Sequence, residues 1–285
     1  MSLKKGRHKM SGHTKKLLLA LAMTSAFTMV GTQAMATEGY FTHGSGARNK
    51  AMGGAGVADG RDATALNINP AGMVGNGTEF TLSVSLFSPK RKFIGSGGPG
   101  FTTNSINESS EKLFAIPNAA FVKEIDDTSS WGIAIAANGG MNTNYRNVAN
   151  PACVSPPLPA NNGTFCGGTA GVNLSQALIS VGYAKQMDKL KFGIAPIFAY
   201  QMFEATGLFA FGGVTSNPAA LSNNGIDTST GFGGRIGLEW EVSDAVRIGG
   251  TYQTKINMSK FDKYAGLFAN GGEFDIPSSF QIGAS

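Results

Sequence analysis

The 285-residue sequence contains few of the residues on which enzyme chemistry usually depends. It has three histidines, and only His43 lies beyond the first 36 residues. A triad or pair built on histidine would therefore rest on His43 alone. The spacing of His, Cys, Asp and Glu also lacks the pattern of a metal site. We predict a protein that is not an enzyme and that uses no metal or cofactor.

Long apolar runs are also scarce. The run of 14 residues at Leu17–Val30 follows six basic residues and precedes Ala34-Met35-Ala36. This order is typical of a cleaved signal peptide over residues 1–36, although a short membrane anchor is the alternative. No later run approaches about 18 apolar residues, so no transmembrane helix is predicted beyond it.

The basic character of the chain belongs to this leader. Of 23 basic and 18 acidic residues, six basic residues lie in the first 36 positions. The remaining chain has 17 basic and 18 acidic residues, a net charge of −1. The sequence therefore gives no reason to expect a nucleic-acid partner.

Cysteine is limited to Cys153 and Cys166, which flank a stretch rich in proline, asparagine and glycine. In an exported protein, such a pair favours a disulfide bond. The alternative is two free thiols. No histidine or third cysteine lies near enough in the sequence to suggest a metal site.

What the sequence has instead is a glycine-rich segment, Thr37–Gly77, followed by alternating strands. The segment shows no hydrophobic period and too few large apolar residues for a core of its own. It can be ordered only if another structure encloses it. We therefore predict three parts: a signal peptide at 1–36, a hatch at 37–77, and a barrel wall at 78–285.

The wall is predicted from residues that alternate between apolar and polar. Phe80, Leu82, Val84 and Leu86 share one face of the first predicted strand. A soluble sandwich would show the same alternation, but the repetition of long strands with short turns and long loops favours a barrel. The predicted strands are Thr78–Ser88, Leu113–Ile125, Ser130–Ala137, Leu174–Lys185, Leu190–Phe203, Phe232–Val242, Val246–Met258 and the start of an eighth at Phe274–Ser285.

Charged residues on the polar faces of the later strands are predicted to line the lumen. They are Arg235, Glu239, Arg247 and Lys255. The fold class is thus all-β: a transmembrane antiparallel β-barrel with an N-terminal hatch inside its lumen.

Four short pieces carry a resemblance to a known family. They are Thr37-Glu38-Gly39-Tyr40, Gly44–Arg48, Gly53–Ala58 and Asn69-Pro70-Ala71-Gly72. In order and spacing they resemble the hatch of the long-chain fatty-acid transporter (FadL-type) family, which includes transporters of toluene and other aromatic hydrocarbons. Asn69, Pro70 and Ala71 form the most specific marker.

The resemblance implies a monomeric barrel of 14 strands in the outer membrane of a Gram-negative bacterium. It also implies passive uptake of hydrophobic small molecules and contact with outer-membrane lipid. About seven to eight strands are predicted here, so we expect the chain to be the N-terminal part of a longer protein. The alternative is a barrel closed by several copies.

The resemblance also implies where ligand would bind and leave. Ligand would adsorb near Leu208, Phe209 and Phe211, and then reach a pocket touched by Tyr40 and Phe41. A kink at Asn138, Gly139 and Gly140 would open the wall for sideways release into lipid. From the residues alone, the loop apolar residues could equally form a small cluster of their own, and the glycines could simply end a strand.

One departure bears on the substrate. The family's fatty-acid transporters carry a cation on the fifth strand, where this sequence has Tyr200-Gln201-Met202. A neutral site suits an aromatic or alkyl hydrocarbon better than a fatty acid, which remains the next candidate. Other functions left open are a non-specific aqueous porin, a surface adhesin or structural barrel, and a membrane-embedded hydrolase that uses His43.

Overall fold

The computed structural model describes residues 39–96, 102–103, 105–153 and 163–285. The predicted signal peptide at 1–36 and the first two residues of the predicted hatch lie outside the described residues. Within the described ranges, no helix has both the length and the apolar character needed to cross a membrane.

The described chain is dominated by one antiparallel sheet in which neighbours in space are mostly neighbours in sequence. The strands are β1 Glu79–Phe87, β2 Lys92–Ile94, β3 Ile106–Glu108, β4 Phe114–Asp126, β5 Ser129–Tyr145, β6 Gly167–Met187, β7 Leu190–Gly207, β8 Asp227–Ser243, β9 Val246–Gln253, β10 Asn257–Met258 and β11 Ser279–Ala284. The order in the large sheet is β1-β4-β5-β6-β7-β8-β9-β11, with β10 paired to β8. The hairpin of β2 and β3 stands apart from this sheet.

The two faces of the sheet differ as a membrane wall requires. On β1, Phe80, Leu82, Val84 and Leu86 are 59–74% exposed, while Thr81, Ser83 and Ser85 on the other face are half-buried. The same outward apolar pattern recurs at Ile133 and Ile135 of β5 and at Ile236 and Leu238 of β8. Apolar side chains on the outside of long antiparallel strands are the mark of a lipid-facing surface. The predicted all-β architecture is therefore confirmed.

Strand ends differ from the sequence-based expectation. The predicted third strand ends at Ala137, but β5 continues to Tyr145 because Met141 to Tyr145 pair with Leu174 to Ala170 of β6. The long loop predicted at Met141–Val172 is correspondingly shorter. Backbone pairing continues where outward residues such as Asn173 have become polar, and apolar alternation cannot reveal such a stretch.

The seventh predicted strand, Val246–Met258, is interrupted. β9 pairs with β8 as far as Gln253, and pairing with β8 resumes at Asn257 and Met258. Ile256, between them, is fully buried and forms a bridge to Ile276. The chain therefore bulges inward between Gln253 and Asn257 before it continues along β8.

The hatch lies on the inner face of the sheet. It contains a one-turn helix, α1 (Gly46–Ala51), and two 3-10 helices at Ala63–Asn67 and Pro70–Met73. Its Ala63, Leu66, Met73 and Val74 form a core cluster with small residues of the wall, namely Ala120, Val122, Ala134, Ala184 and Ala195. Small wall side chains let the hatch backbone approach the sheet closely.

On four consecutive strands, β6 to β9, a glycine lets the hatch lie so close to the wall that a Cβ atom would clash. A Cβ atom at Gly182 would lie 2.3 Å from Leu66 Cδ1, and one at Gly193 would lie 2.4 Å from the Ala71 nitrogen. A Cβ atom at Gly237 would lie 1.8 Å from Asn69 Oδ1, and one at Gly249 would lie 2.4 Å from the Val57 oxygen. We call Gly182, Gly193, Gly237 and Gly249 the glycine wall. At Gly193 and Gly249 no other residue fits without moving the backbone of the hatch, and at Gly182 and Gly237 a side chain of the hatch would have to move.

The long loops carry the remaining short helices. These are the 3-10 helices Phe209–Phe211, Pro218–Ala220 and Asp262–Tyr264, and the helical turn α2 (Ala269–Gly272). All of them lie at the end of the sheet opposite the short turns that join β4 to β5, β6 to β7 and β8 to β9.

Candidate functional site

Asn69 anchors the hatch to the wall. It is buried, and its Nδ2 donates to the Val57 oxygen at 2.7 Å and to the Leu238 oxygen of β8 at 3.0 Å. Its Oδ1 accepts from the Ala71 nitrogen at 3.1 Å and caps the second 3-10 helix, which begins at Pro70. A proline in the first helical position has no N–H to satisfy there. The Asn-Pro-Ala marker is therefore both a helix start and a link to β8.

An ionic network fastens the hatch near the short turns. Arg247 of β9 contacts Asp59 of the hatch at 2.8 Å and Glu239 of β8 at 3.5 Å. Lys191 of β7 contacts Glu239 at 3.4 Å and donates to the Val74 oxygen at 3.4 Å. The hatch is thus held at both Asp59 and Val74.

Three of the four charges predicted for the lumen belong to this side of the wall. Glu239 and Arg247 are in the ionic network, and buried Arg235 donates to the Leu66 oxygen at 3.3 Å and to Gln253 at 2.6 Å. Lys255 does not line the wall, because it lies in the bulge between Gln253 and Asn257. It pairs instead with Asp275 at 2.6 Å and is half-exposed. The sequence-based list of lumen charges did not include Lys191. It is the one charged residue of the predicted strand Leu190–Phe203, so no pattern of charges marked the inner face of that strand.

The first described residues of the hatch bind to the predicted kink. The Thr42 nitrogen donates to the Asn138 oxygen at 3.0 Å, and the Gly140 nitrogen donates to the Tyr40 oxygen at 2.8 Å. Phe41 and Gly139 form the antiparallel bridge between them. The β5–β6 register shifts between Ala137 and Gly139, which identifies a β-bulge.

The wall opens beside this bulge. Pairing between β4 and β5 ends at Asn118 with Ala136. Beyond that point, β4 residues 114–117 pair with β1 and β5 residues 139–145 pair with β6, but not with each other. The Ser110 nitrogen then rejoins the two sides by donating to the Asn144 oxygen at 2.8 Å. We call the gap between residues 111–117 and 137–143 the window.

A series of aromatic rings leads from the loop end of the sheet to the window. Ring centroids are 4.8 Å apart for Phe203 and Phe268, and 5.0 Å apart for Phe268 and Phe274. The series continues from Phe274 to Tyr40 at 5.6 Å and from Tyr40 to Phe41 at 4.5 Å. We call these five residues the aromatic chain. Leu174, Phe261 and Tyr264 pack with it in one cluster.

The predicted ligand-binding residues are only partly brought together. Tyr40 and Phe41 end the aromatic chain, and Leu208 packs against the same cluster. Phe209 is 50% exposed, and Phe211 packs on Phe165 with ring centroids 5.0 Å apart. The sequence analysis missed Phe203, Phe268 and Phe274. For Phe268 and Phe274 the sequence held a clue, because aromatic residues recur between Ser259 and Phe274. The sequence analysis had assigned residues 259–273 only to a loop.

Cys153 and Cys166 form a disulfide bond in the structure. Phe165, next to Cys166, accepts a hydrogen bond from the Ala210 nitrogen at 2.9 Å. The bridge therefore supports the segment on which the Phe209–Phe211 helix rests. Residues 154–162 of this loop lie outside the described residues.

The site is mainly apolar and has few charges. Burial raises the pKa of the Tyr40 hydroxyl, and the neighbouring Gln176 amide opposes this shift. Gln201 of β7 is fully buried and donates to the Phe274 oxygen at 3.3 Å. Among the residues that the structure describes, no group of three His, Cys, Asp or Glu could hold a metal ion. His43 is exposed on the hatch.

The family model described as "Outer membrane protein transport protein (OMPP1/FadL/TodX)" matches residues 23–279. Among curated protein sequences, none matches the chain significantly.

Three solved structures illustrate the structural likeness. The toluene transporter TbuX of Ralstonia pickettii has 21% identity and a TM-score of 0.59, with coverage of 85% of this chain and 67% of its own. The toluene transporter TodX of Pseudomonas putida has 18% identity and a TM-score of 0.58, with coverage of 87% and 67%.

A FadL homologue of Pseudomonas aeruginosa has 13% identity and a TM-score of 0.54, with coverage of 86% and 65%. These likenesses show that the fold is shared, and the chain spans about two thirds of the length of the solved relatives it matches.

Proposed function

The chain belongs to the outer membrane protein transport protein family (OMPP1/FadL/TodX), and from this premise we propose that it takes up hydrophobic compounds passively through a hatch-filled barrel. Membership confirms the predicted location in the outer membrane. It also confirms that the protein is not an enzyme, since the family consists of transport proteins.

The single observation that carries the proposal is the aromatic chain, which connects the loop end of the sheet to the window. Greasy molecules neither enter water-filled pores readily nor cross the sugar layer of the outer leaflet. A row of rings 4.5–5.6 Å apart offers them continuous apolar contact. Ligand adsorbs near Leu208, with Phe209 and Phe211 as the outermost contacts, and moves along the rings to Tyr40 and Phe41.

Sideways release into lipid is the second part of the proposal. The bulge at Asn138, Gly139 and Gly140 lies beside the window. The Thr42 nitrogen donates to the Asn138 oxygen and the Gly140 nitrogen donates to the Tyr40 oxygen, so the hatch backbone is hydrogen-bonded to the bulge. A small shift of this hatch segment away from the bulge would connect the end of the aromatic chain with the lipid outside. No energy source is required, because the ligand moves toward the more apolar phase.

The substrate class that the site favours is an uncharged hydrocarbon, with fatty acids second. Gln201 stands where the resemblance places a cation, and its amide is neutral and buried. A carboxylate buried there would lack a paired charge. Two of the similar structures are toluene transporters by their descriptions. We expect the full-length protein to act as a monomer.

Uptake by cells tests this proposal. We expect cells that express the protein to take up labelled toluene faster than oleate. Phe268→Ala should lower toluene uptake by roughly three- to tenfold, because it removes the middle of the aromatic chain. The matched control is Phe80→Ala on the lipid face, which should leave uptake unchanged. A strong preference for oleate would count against the hydrocarbon assignment.

The alternatives make different predictions. A non-specific aqueous porin would give large ion conductance in planar bilayers, whereas the packed hatch predicts low conductance. A surface adhesin or structural barrel would show no change in hydrocarbon uptake when the gene is deleted. Equal effects of Phe268→Ala and Phe80→Ala would favour such a structural role.

A further inference from the structure

Two glutamine side chains face each other on the inner surface of the wall. Gln176 of β6 and Gln201 of β7 are register partners in the antiparallel ladder. They are 3% and 0% exposed, respectively. Directly opposed residues have Cβ atoms about 4.5–5.5 Å apart, so one small group can contact both side chains. We call Gln176 and Gln201 the amide pair.

Each member of the amide pair uses only one of its two polar atoms within the described part of the chain. Asn138 Nδ2 donates to Gln176 Oε1 at 3.0 Å, and Gln201 Nε2 donates to the Phe274 oxygen at 3.3 Å. By bond geometry, Gln176 Nε2 and Gln201 Oε1 have no hydrogen-bond partner among the described residues, although the Tyr40 hydroxyl neighbours the Gln176 amide. The bonds that exist orient both amides, so the atoms left without a partner are one donor and one acceptor.

The surroundings of the amide pair are apolar on both sides. One row toward the loops, Leu174 and Phe203 belong to the aromatic cluster. One row toward the turns, Leu178 and Ala199 belong to a second cluster with Ile197, Ile256, Met258 and Ile276, against which Phe41 packs. Polar atoms left unpaired in such a place carry a desolvation cost. A site that carries this cost between two apolar regions selects strongly for a ligand that removes it.

We propose that the amide pair is a polar subsite for an uncharged ligand that carries a single hydroxyl group on an apolar body, such as a phenol or an alkanol. The hydroxyl oxygen accepts from Gln176 Nε2 and its proton is donated to Gln201 Oε1, so both unused atoms are satisfied. The apolar body lies against the aromatic chain. This inference rests on the proposed function and refines its substrate class.

Other ligand classes satisfy the amide pair less well. A hydrocarbon leaves both atoms unpaired. An ether or ketone accepts from Gln176 Nε2 but cannot donate to Gln201 Oε1. A carboxylate also accepts from Gln176 Nε2, but its second oxygen meets the carbonyl oxygen of Gln201 with no proton between them.

Binding to the purified protein in detergent, measured by calorimetry, tests the subsite with a matched ligand series. Toluene, 4-methylphenol, 4-methylanisole and 4-methylbenzoate share one ring and differ in one group. We expect 4-methylphenol to bind about tenfold more tightly than toluene, as two net hydrogen bonds allow. The ether should lie between them and the benzoate should bind most weakly. Equal or weaker binding of the phenol relative to toluene overturns the proposal.

Substitution of each glutamine tests whether the amide pair causes the preference for the phenol over toluene. Gln176→Met and Gln201→Met keep the length of the side chain and remove the amide. Each should reduce the phenol-to-toluene affinity ratio to near one while toluene affinity is retained. Gln186→Met, near the turn end of β6, is the control and should keep the full ratio. A ratio that survives in a folded Gln176→Met or Gln201→Met protein overturns the proposal.

The two variants are independent tests, so a folding failure in one leaves the other decisive. Failure of the wild-type protein to bind any member of the series contradicts the proposed function. Binding of toluene without a preference for the phenol contradicts only the subsite.

Discussion

At the scale of single residues, Asn69 shows how one side chain links distant parts of the chain. It satisfies the oxygens of Val57 and Leu238 and the nitrogen of Ala71. The sequence analysis identified Asn69 as a marker through resemblance. It could not identify the partner in β8, because Leu238 is 169 residues away and contributes only its backbone oxygen.

We expect Asn69→Ala to loosen the hatch. Three buried backbone groups would lose their partner, at a cost on the order of 2–4 kcal/mol in the stability of the hatch on the wall. Hydrogen exchange of residues 57–74, followed by mass spectrometry, should show faster exchange by roughly two orders of magnitude. Asn107→Ala in the exposed β2–β3 hairpin is the control. Unchanged exchange in Asn69→Ala would mean that the hatch is held by other contacts alone.

Only part of the aromatic chain could be predicted from the sequence. Tyr40 and Phe41 were predicted from the resemblance, and the structure places them at the end of the chain. Phe268 and Phe274 come from a loop that folds back over the interior. Their approach to Tyr40 depends on where β10 and the loop lie, and no local sequence period encodes that position.

At the scale of elements, the centres of the strands were predictable and their ends were not. Period-two alternation exists only where one face of a strand meets lipid. Past the alternating stretch, β6 and β7 continue with outward residues that are polar, such as Asn173, Glu204 and Thr206, so the pattern no longer shows that the backbone is still paired. The glycine pair at 139 and 140 was correctly linked to an irregularity, but the strand runs on past it.

The glycine wall leads to a test at this scale. We expect Gly237→Ala to displace the hatch, because the new Cβ would lie 1.8 Å from Asn69 Oδ1. Overpacking of this kind costs about 1–3 kcal/mol or more. Limited proteolysis should cut the hatch of the variant faster, and planar-bilayer conductance should rise.

Gly234→Ala on the same strand is the matched control for this change. Its Cβ would have its nearest neighbour at 3.7 Å, the Ala195 oxygen, so the protein should keep wild-type behaviour. If both alanine variants behave alike, close packing of the hatch on the glycine wall is not what holds it.

At the scale of the whole molecule, the fold class followed from repetition, and the family followed from four short pieces of the hatch. What the sequence left out is the way in which loop and hatch share the interior. The ion pair of Lys255 and Asp275 is one of the contacts that hold the loop from 259 to 275, together with the bonds of Gln201 to Phe274 and of Tyr264 to Gly225. This pair makes the hold on the loop depend on pH.

The sign of the pH effect follows from the two groups. Burial by itself would raise the pKa of the Asp275 carboxyl, but bonds from Lys255 and the Met258 nitrogen outweigh it and hold the pKa below 3.8. The bond to Asp275 raises the pKa of Lys255 above 10.5, and Glu273 nearby adds to this. The stabilisation is therefore complete above pH 3.8 and is lost as pH falls through the lowered value for Asp275. At the alkaline end it is complete below pH 10.5 and is lost as pH rises through the raised value for Lys255.

We expect protection of the loop against proteolysis or hydrogen exchange to be flat between about pH 5 and pH 9. Below about pH 4 the loop should open. In Lys255→Met the opening should begin at higher pH, because Asp275 loses the partner that lowers its pKa. Lys189→Met, at the turn between β6 and β7, should behave as wild type. The same onset of opening in Lys255→Met would show that this ion pair does not hold the loop.

The contact between hatch and glycine wall also constrains the order of assembly. At Gly193 and Gly249 the backbone of the hatch meets the wall with no side chain between them, and at Gly182 and Gly237 the side chains of Leu66 and Asn69 fill the space. Contacts this close would leave a closed wall little room for the hatch to slide into place. The hatch precedes every strand in the chain and is therefore available first. We therefore expect the strands to assemble around the hatch.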